Sequence, residues 1–111
     1  MKVFKEDNMF KGWFVGNFEP TSYNTDNCEV ALKRYKKGDY DKYHHHKIST
    51  EITMIVYGKV KMNGIIYKEG DIILIETNES TDFEALTDCI NVVVKVPCSK
   101  NDKYVDDIDI T

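Results

Sequence analysis

Cysteine is scarce in this chain: Cys28, Cys89 and Cys98 are the only three in 111 residues. Their number is odd and no two form a CxxC pair. That excludes a complete disulfide framework and a thiolate zinc site, and it fits a reducing compartment. Proline occurs only at Pro20 and Pro97, so nothing breaks the strands between them. Long apolar runs are missing as well. No stretch approaches the ~20 apolar residues of a membrane-spanning helix, and the N-terminal MKVFKEDNMFKGWFVGNF is interrupted by charge and glycine before it reaches signal-peptide length. A cytoplasmic protein without a membrane partner is expected. Nor is there an excess of basic charge: 15 Lys and Arg stand against 19 Asp and Glu, for a net charge of -4. The basic residues are scattered, and nucleic acid is not an expected partner.

What is present is enough for one core and no more, since 41% of the residues are hydrophobic in a chain of this length. Between residues 28 and 97 the apolar residues alternate with polar ones or gather in short β-branched runs. This is the pattern of strands, and helical spacing is hard to find. Strands are expected over 29–36, 43–47, 51–57, 59–62, 65–67, 71–76, 82–86 and 91–96. Asn63-Gly64 suits a two-residue hairpin turn, and Lys37-Gly38-Asp39 and Glu69-Gly70-Asp71 punctuate other junctions. Many short, closely spaced strands argue for an all-β sandwich or barrel. Residues 1–27 are rich in aromatics and are expected to form an arm or edge strand wrapping it. Residues 28–98 make the barrel, and the acidic tail 99–111 is expected to fray or to pack on a neighbouring subunit.

All three histidines lie in one run, His44-His45-His46. In a strand, residues two apart share a face, so His44 and His46 point one way and His45 the other. Glu51 opens the next expected strand after a short connection, which returns its carboxylate to the two imidazoles. Two nitrogens and one oxygen on one side of a cavity suit Fe(II), Mn(II), Ni(II) or Zn(II), with positions left for water or substrate.

Read from Gly38, the chain runs glycine, five residues, His44, one residue, His46, four residues, Glu51, six residues, Gly58. That order resembles the first motif of the cupin superfamily at every fixed position. A chance match in a chain of this length is expected on the order of once in 10⁵. The second motif is degraded: Gly70 fits, but Glu76, Asn78 and Thr81 stand where the family has proline, glycine and a fourth ligand, histidine. The resemblance covers roughly residues 29–97 and implies a cupin-type antiparallel barrel, or jelly roll, in a single domain. It also implies a divalent ion (Fe, Mn, Ni or Zn) held by His44, His46 and Glu51, and it favours a homodimer. With the last histidine missing, three readings stand side by side. Water, Thr81 or Asp82 completes a metal site; or imidazole and carboxylate act on a ligand without metal; or the site is vestigial.

Other candidates surround these three. Trp13, with Asn17 and Glu19, lies in the aromatic arm and could close over a ligand, although a tryptophan among phenylalanines is more often core. Tyr43, Thr53, Ile55 and Tyr57 are expected to line the cavity if the pleat is regular, the alternative being ordinary barrel filling. Asp82 and Glu84 share one parity near the lost histidine. Ile52, Met54 and Val56 form an apolar face that a barrel alone would leave wet, so a cover is expected from the arm or a second copy. Cupin-like barrels serve many reactions. The resemblance points to a small polar metabolite, a carbohydrate or sugar-nucleotide derivative, handled by isomerase, epimerase or oxygenase-like chemistry. The alternative is a non-catalytic binding or sensor barrel without metal.

Overall fold

Asn63 and Gly64 have φ values of +50° and +78°, and Met62 pairs directly with Ile65 across them. The two-residue turn expected from the sequence therefore forms a hairpin, whose twist suits antiparallel neighbours. The same logic of short strands and tight turns builds the rest. The computed structural model describes residues 1–106, and within them every strand pairing is antiparallel. The strands are β1 (Trp13–Val15), β2 (Glu29–Tyr35), β3 (Tyr40–His46), β4 (Thr50–Tyr57), β5 (Lys59–Met62), β6 (Ile65–Lys68), β7 (Ile72–Ile75), β8 (Thr81–Ala85), β9 (Cys89–Val96) and β10 (Lys103–Val105). They form two sheets, ordered β1-β2-β9-β4-β7 and β10-β3-β8-β5-β6. The chain changes sheet between β2 and β3 at Gly38 and between β4 and β5 at Gly58, both at positive φ. No helix among the described residues is long and apolar enough to cross a membrane.

Alternation along β8 and β9 fixes the interior. Thr81, Phe83 and Ala85 are buried on β8, as are Cys89, Asn91 and Val93 on β9, with their neighbours turned outward. The apolar part of this interior gathers around Ile55, Val60, Met62, Ile75, Phe83, Ala85 and Cys89. Ile55 and Val60 are fully buried, each contributing about 1.5–3 kcal/mol of transfer free energy. The polar inward positions, among them His46, Thr53, Thr81 and Asn91, are buried as well.

Two segments depart from the sequence reading. β3 begins three residues earlier than expected, because a bulge between Asp41 and His44 interrupts the alternation on which that boundary rested. The start of the tail does not fray: β10 pairs with β3, Lys103 opposite His46, Tyr104 opposite His45 and Val105 opposite His44. Its anchor is Asp102, described below; residues 107–111 of the expected tail lie outside the described residues. The arm behaves as an edge strand, β1 adding to β2.

Candidate ligand and metal site

The bulge in β3 sets up the site. Asp41 pairs with Phe83 and His44 with Thr81, so β3 uses one residue more than β8 over this stretch. Asp41, His44 and His46 thereby line the same cavity, of about 300 Å³, with Glu51 and Thr53 of β4 on its wall. The three residues singled out in the sequence thus share one pocket inside the barrel.

Both imidazoles are fixed in one tautomer. His44 donates from Nδ1 to the carbonyl of Lys42 at 2.7 Å, and His46 donates from Nδ1 to the carbonyl of Asp102 at 3.0 Å. A carbonyl can only accept, so the proton sits on Nδ1, and a neutral ring keeps its lone pair on Nε2. The rings meet edge to face with centroids 5.5 Å apart. His46 Nε2 lies 3.7 Å from Glu51 Oε1, with the two side chains only 6% and 17% exposed. Burial pushes the Glu51 carboxyl up, but His46, Lys95 and His44 outweigh that and hold it below the ordinary glutamate range. It is a carboxylate at neutral pH.

The tail residue Asp102 holds the histidine strand in place. Its side chain is 1% exposed, and its carboxylate accepts the backbone N–H groups of Lys47, Ile48 and Ser49 and the hydroxyl of Ser99 at 2.9–3.2 Å. The same residue offers its carbonyl to His46. His45 points away from the cavity, pairing with Asp106 at 2.8 Å and stacking on Tyr104.

With fold and site in view, solved structures can be compared. An uncharacterized conserved protein with a double-stranded β-helix domain from Klebsiella pneumoniae superposes with a TM-score of 0.60 at 21% identity, covering 66% of each chain. An RmlC-like cupin protein from Desulfovibrio desulfuricans gives 0.61 at 18% identity, over 68% of this chain and 76% of that one. Oxalate decarboxylase of Bacillus subtilis, an enzyme with Mn(II) centres, gives 0.61 at 20% identity, over 73% of this chain and 24% of that one. This chain has the cupin fold. No protein-family model and no curated protein matches its sequence.

In this cupin barrel the remaining sequence candidates divide. Trp13 and Thr81 line the cavity. Thr81 stands directly opposite His44, and its hydroxyl donates to the carbonyl of Asp82 at 2.8 Å. Asn78 has φ +69°, a conformation asparagine tolerates better than most residues. Tyr43, Tyr57 and Asp82 are not in the lining, contrary to expectation. Tyr43 adjoins His44 and so takes the opposite face, and a second bulge between Ile55 and Tyr57 carries Tyr57 to an exposed strand end. Asp82 accepts the backbone N–H of Asn63 at the hairpin. Ile55 belongs to the apolar core, and Asn17 bonds Asp26 away from the cavity.

A metal ion can be tested against these donors. In kind they fit: two imidazoles with Nδ1 pinned to carbonyls, as histidine ligands usually are, beside one ionised carboxylate. The centre is not preformed, however. Among the described residues no three His, Cys, Asp or Glu side chains are gathered closely enough to hold an ion. His46 Nε2 and Glu51 Oε1 stand 3.7 Å apart, with no third such donor gathered to them among the described residues.

Sequence reasoning missed several lining residues. Tyr35 packs on Phe83 at 4.5 Å, and burial, reinforced by Glu51, pushes its phenol well up, so it remains a neutral hydroxyl donor. Asn91 is 1% exposed, and its Oδ1 has no hydrogen-bond partner among the described residues. An unsatisfied buried acceptor costs roughly 1–3 kcal/mol. One signal for Asn91 was legible: it is the only uncharged polar residue in the run 89–96, at the parity of Val93.

Proposed function

We propose that this cupin barrel binds a small polar metabolite in its interior, with His44, His46 and Glu51 holding a divalent ion beside it. The observation that carries the proposal is the pair of fixed tautomers: both Nδ1 atoms are spent on carbonyls, which leaves two Nε2 atoms and one carboxylate as the reactive groups of one cavity. The Mn(II) centres of the structurally similar oxalate decarboxylase support the same reading. When bound, a divalent ion supplies a Lewis acid that polarises a carbonyl or hydroxyl oxygen. Glu51, ionised and largely enclosed, can accept a proton, and Tyr35 can donate a hydrogen bond to developing negative charge. A cavity of about 300 Å³ is at the small end for ligand sites and suits a monosaccharide-sized molecule. A carbohydrate derivative undergoing isomerase, epimerase or oxygenase-like chemistry fits that size.

A second reading, binding or proton transfer without metal, is favoured by the absence of a preformed three-donor cluster among the described residues. Elemental analysis of protein purified without chelator or histidine tag separates the two. The metal reading expects close to one ion per chain, lost in His44→Ala and Glu51→Ala. Protein free of metal in every preparation, with ligand binding unchanged in those variants, would overturn it.

A homodimer is part of the proposal. Met54, Val56, Ile72 and Leu74 on neighbouring β4 and β7 are 41–66% exposed, and β7 is a sheet edge. An apolar strip running to an open edge is suited to a second copy. Light scattering should give twice the mass of the chain, and Ile72→Asp with Leu74→Asp should halve it. A monomeric wild type would contradict this.

A further inference from the structure

The charge inside the barrel is opposite to that of the molecule. The protein carries a net charge of -4, yet the cavity is lined by Lys11, Lys33, Lys95 and Lys103 against only two carboxylates, Asp41 and Glu51. Asp41 is committed to Lys103 at 2.7 Å. Lys95 has a loose contact with Glu29 at 3.9 Å, and Lys33 Nζ donates to the carbonyl of Lys11 at 2.9 Å. Lys33 and Lys95 both stand over the ring of Trp13, at 5.6 and 5.2 Å from its centroid. Two ammonium groups are thus held against one indole at the cavity wall. Burial, and repulsion from Lys11 and Lys95, lower the proton affinity of Lys33. An anion placed between them would relieve that repulsion.

The second observation is independent. Asn91, on β9 between the buried core and Lys95, lines the same cavity, and its Oδ1 is buried without a partner among the described residues. As placed, that oxygen is closed off, and a turn of the Asn91 amide brings it to the cavity wall, where a donor from whatever occupies the cavity satisfies it.

We infer that the cavity takes a small hydroxylated organic anion, its charged group lodged between Lys33 and Lys95 beside Trp13 and a hydroxyl donating to Asn91. This rests on reading the barrel interior as a ligand site, but it does not need the metal. Carboxylate and phosphate would satisfy the lysines alike, and Asn91 selects for the hydroxyl. A neutral sugar would leave the lysines unrelieved, and an anion without a hydroxyl would leave Asn91 unpartnered.

Trp13 is the only tryptophan, so its fluorescence reports binding without a label. The full chain is titrated with gluconate, glucose 6-phosphate and glucose, once after chelator treatment and once loaded with Zn(II). The expected result is saturable quenching by at least one anion, binding at least ten-fold tighter than glucose in both states. Preference between the two anions then assigns the group as carboxylate or phosphate. Lys33→Gln with Lys95→Gln should weaken the preferred anion at least ten-fold, and Asn91→Leu should weaken it several-fold while circular dichroism stays that of wild type. If Asn91→Leu fails to fold, replacing gluconate by its deoxygenated analogue hexanoate tests the same contact from the ligand side. Glucose binding as tightly as the anions, no response to either anion at millimolar concentration, or affinity indifferent to the lysine substitutions would each overturn the inference. An anion preference that survives in protein unable to take up Zn(II) would sink the metal reading and leave this one standing.

Discussion

Gly58→Ala is expected to remove about 3 kcal/mol of folding stability, whereas Gly38→Ala should remove only about 1 kcal/mol. Both glycines bracket the histidine and glutamate strands, both lie where the chain passes from one sheet to the other, and both have positive φ, +88° and +94°. Their surroundings differ. A Cβ on Gly58 would lie 2.3 Å from the carbonyl oxygen of Asp88 and 2.8 Å from Cβ of Cys89, whereas one on Gly38 would meet nothing within 4 Å. The first substitution therefore adds a collision with backbone to the conformational strain, and the second adds strain alone. Against a total of about 5–15 kcal/mol for a domain of this kind, the first is a large fraction. Urea denaturation of the two variants measures the difference directly. Equal losses at the two sites would show that the packing of Gly58 against the 87–89 turn is not as described.

Asp102→Ala should be comparably severe, about 3 kcal/mol, because it strands three backbone N–H groups that the carboxylate now satisfies, that of Ser49 buried and those of Lys47 and Ile48 part-buried. Asp102→Asn should cost less, since its one remaining oxygen can still accept from part of the set. The pH dependence follows from the same contacts. Burial pushes the Asp102 carboxyl up, but the N–H groups of Ser49, Lys47 and Ile48 together hold it below its ordinary value. A carboxyl depressed in the folded state contributes its full stabilisation above the unfolded value of about 3.9, and loses it as pH falls through the lower folded value. Wild type should therefore lose stability on acidification below about pH 4, and Asp102→Ala should lose less over that window. A variant that tracks the wild-type acid curve would contradict the assignment. Because Asp102 also offers its carbonyl to His46, the alanine variant should disturb the site as well as the fold.

The sequence was most legible where one period governed both chemistry and burial. His44 and His46 two apart, Glu51 after a short turn, and the Asn63-Gly64 hairpin needed only the pleat and turn chemistry to be placed. Tyr43 is adjacent to His44, so the same pleat that puts His44 and His46 on one face turns it to the other. Tyr57 is displaced by a bulge, and bulges leave no mark in a pattern of apolar and polar letters. Asp102 was hidden in an acidic tail, where nothing in the run of letters marks the one aspartate that accepts the backbone N–H groups of residues 47–49. The cavity lysines were invisible because Lys11, Lys33, Lys95 and Lys103 come from four separate segments. The pairings of β1 with β2, of β2 with β9 and of β10 with β3 bring them to one cavity. Net charge, read along the chain, pointed the other way.

The account depends most on the state of two imidazoles. Long-range proton–nitrogen correlation spectra of the ¹⁵N-labelled protein at neutral pH report which ring nitrogen carries hydrogen. For His44 and His46 the protonated nitrogen should be Nδ1, and adding Zn(II) should shift Nε2 of both rings while leaving His45 in place. Protonation on Nε2 in either ring, or two rings that respond neither to Zn(II) nor to the anions that quench Trp13, would contradict the claim that these side chains form one site within the barrel.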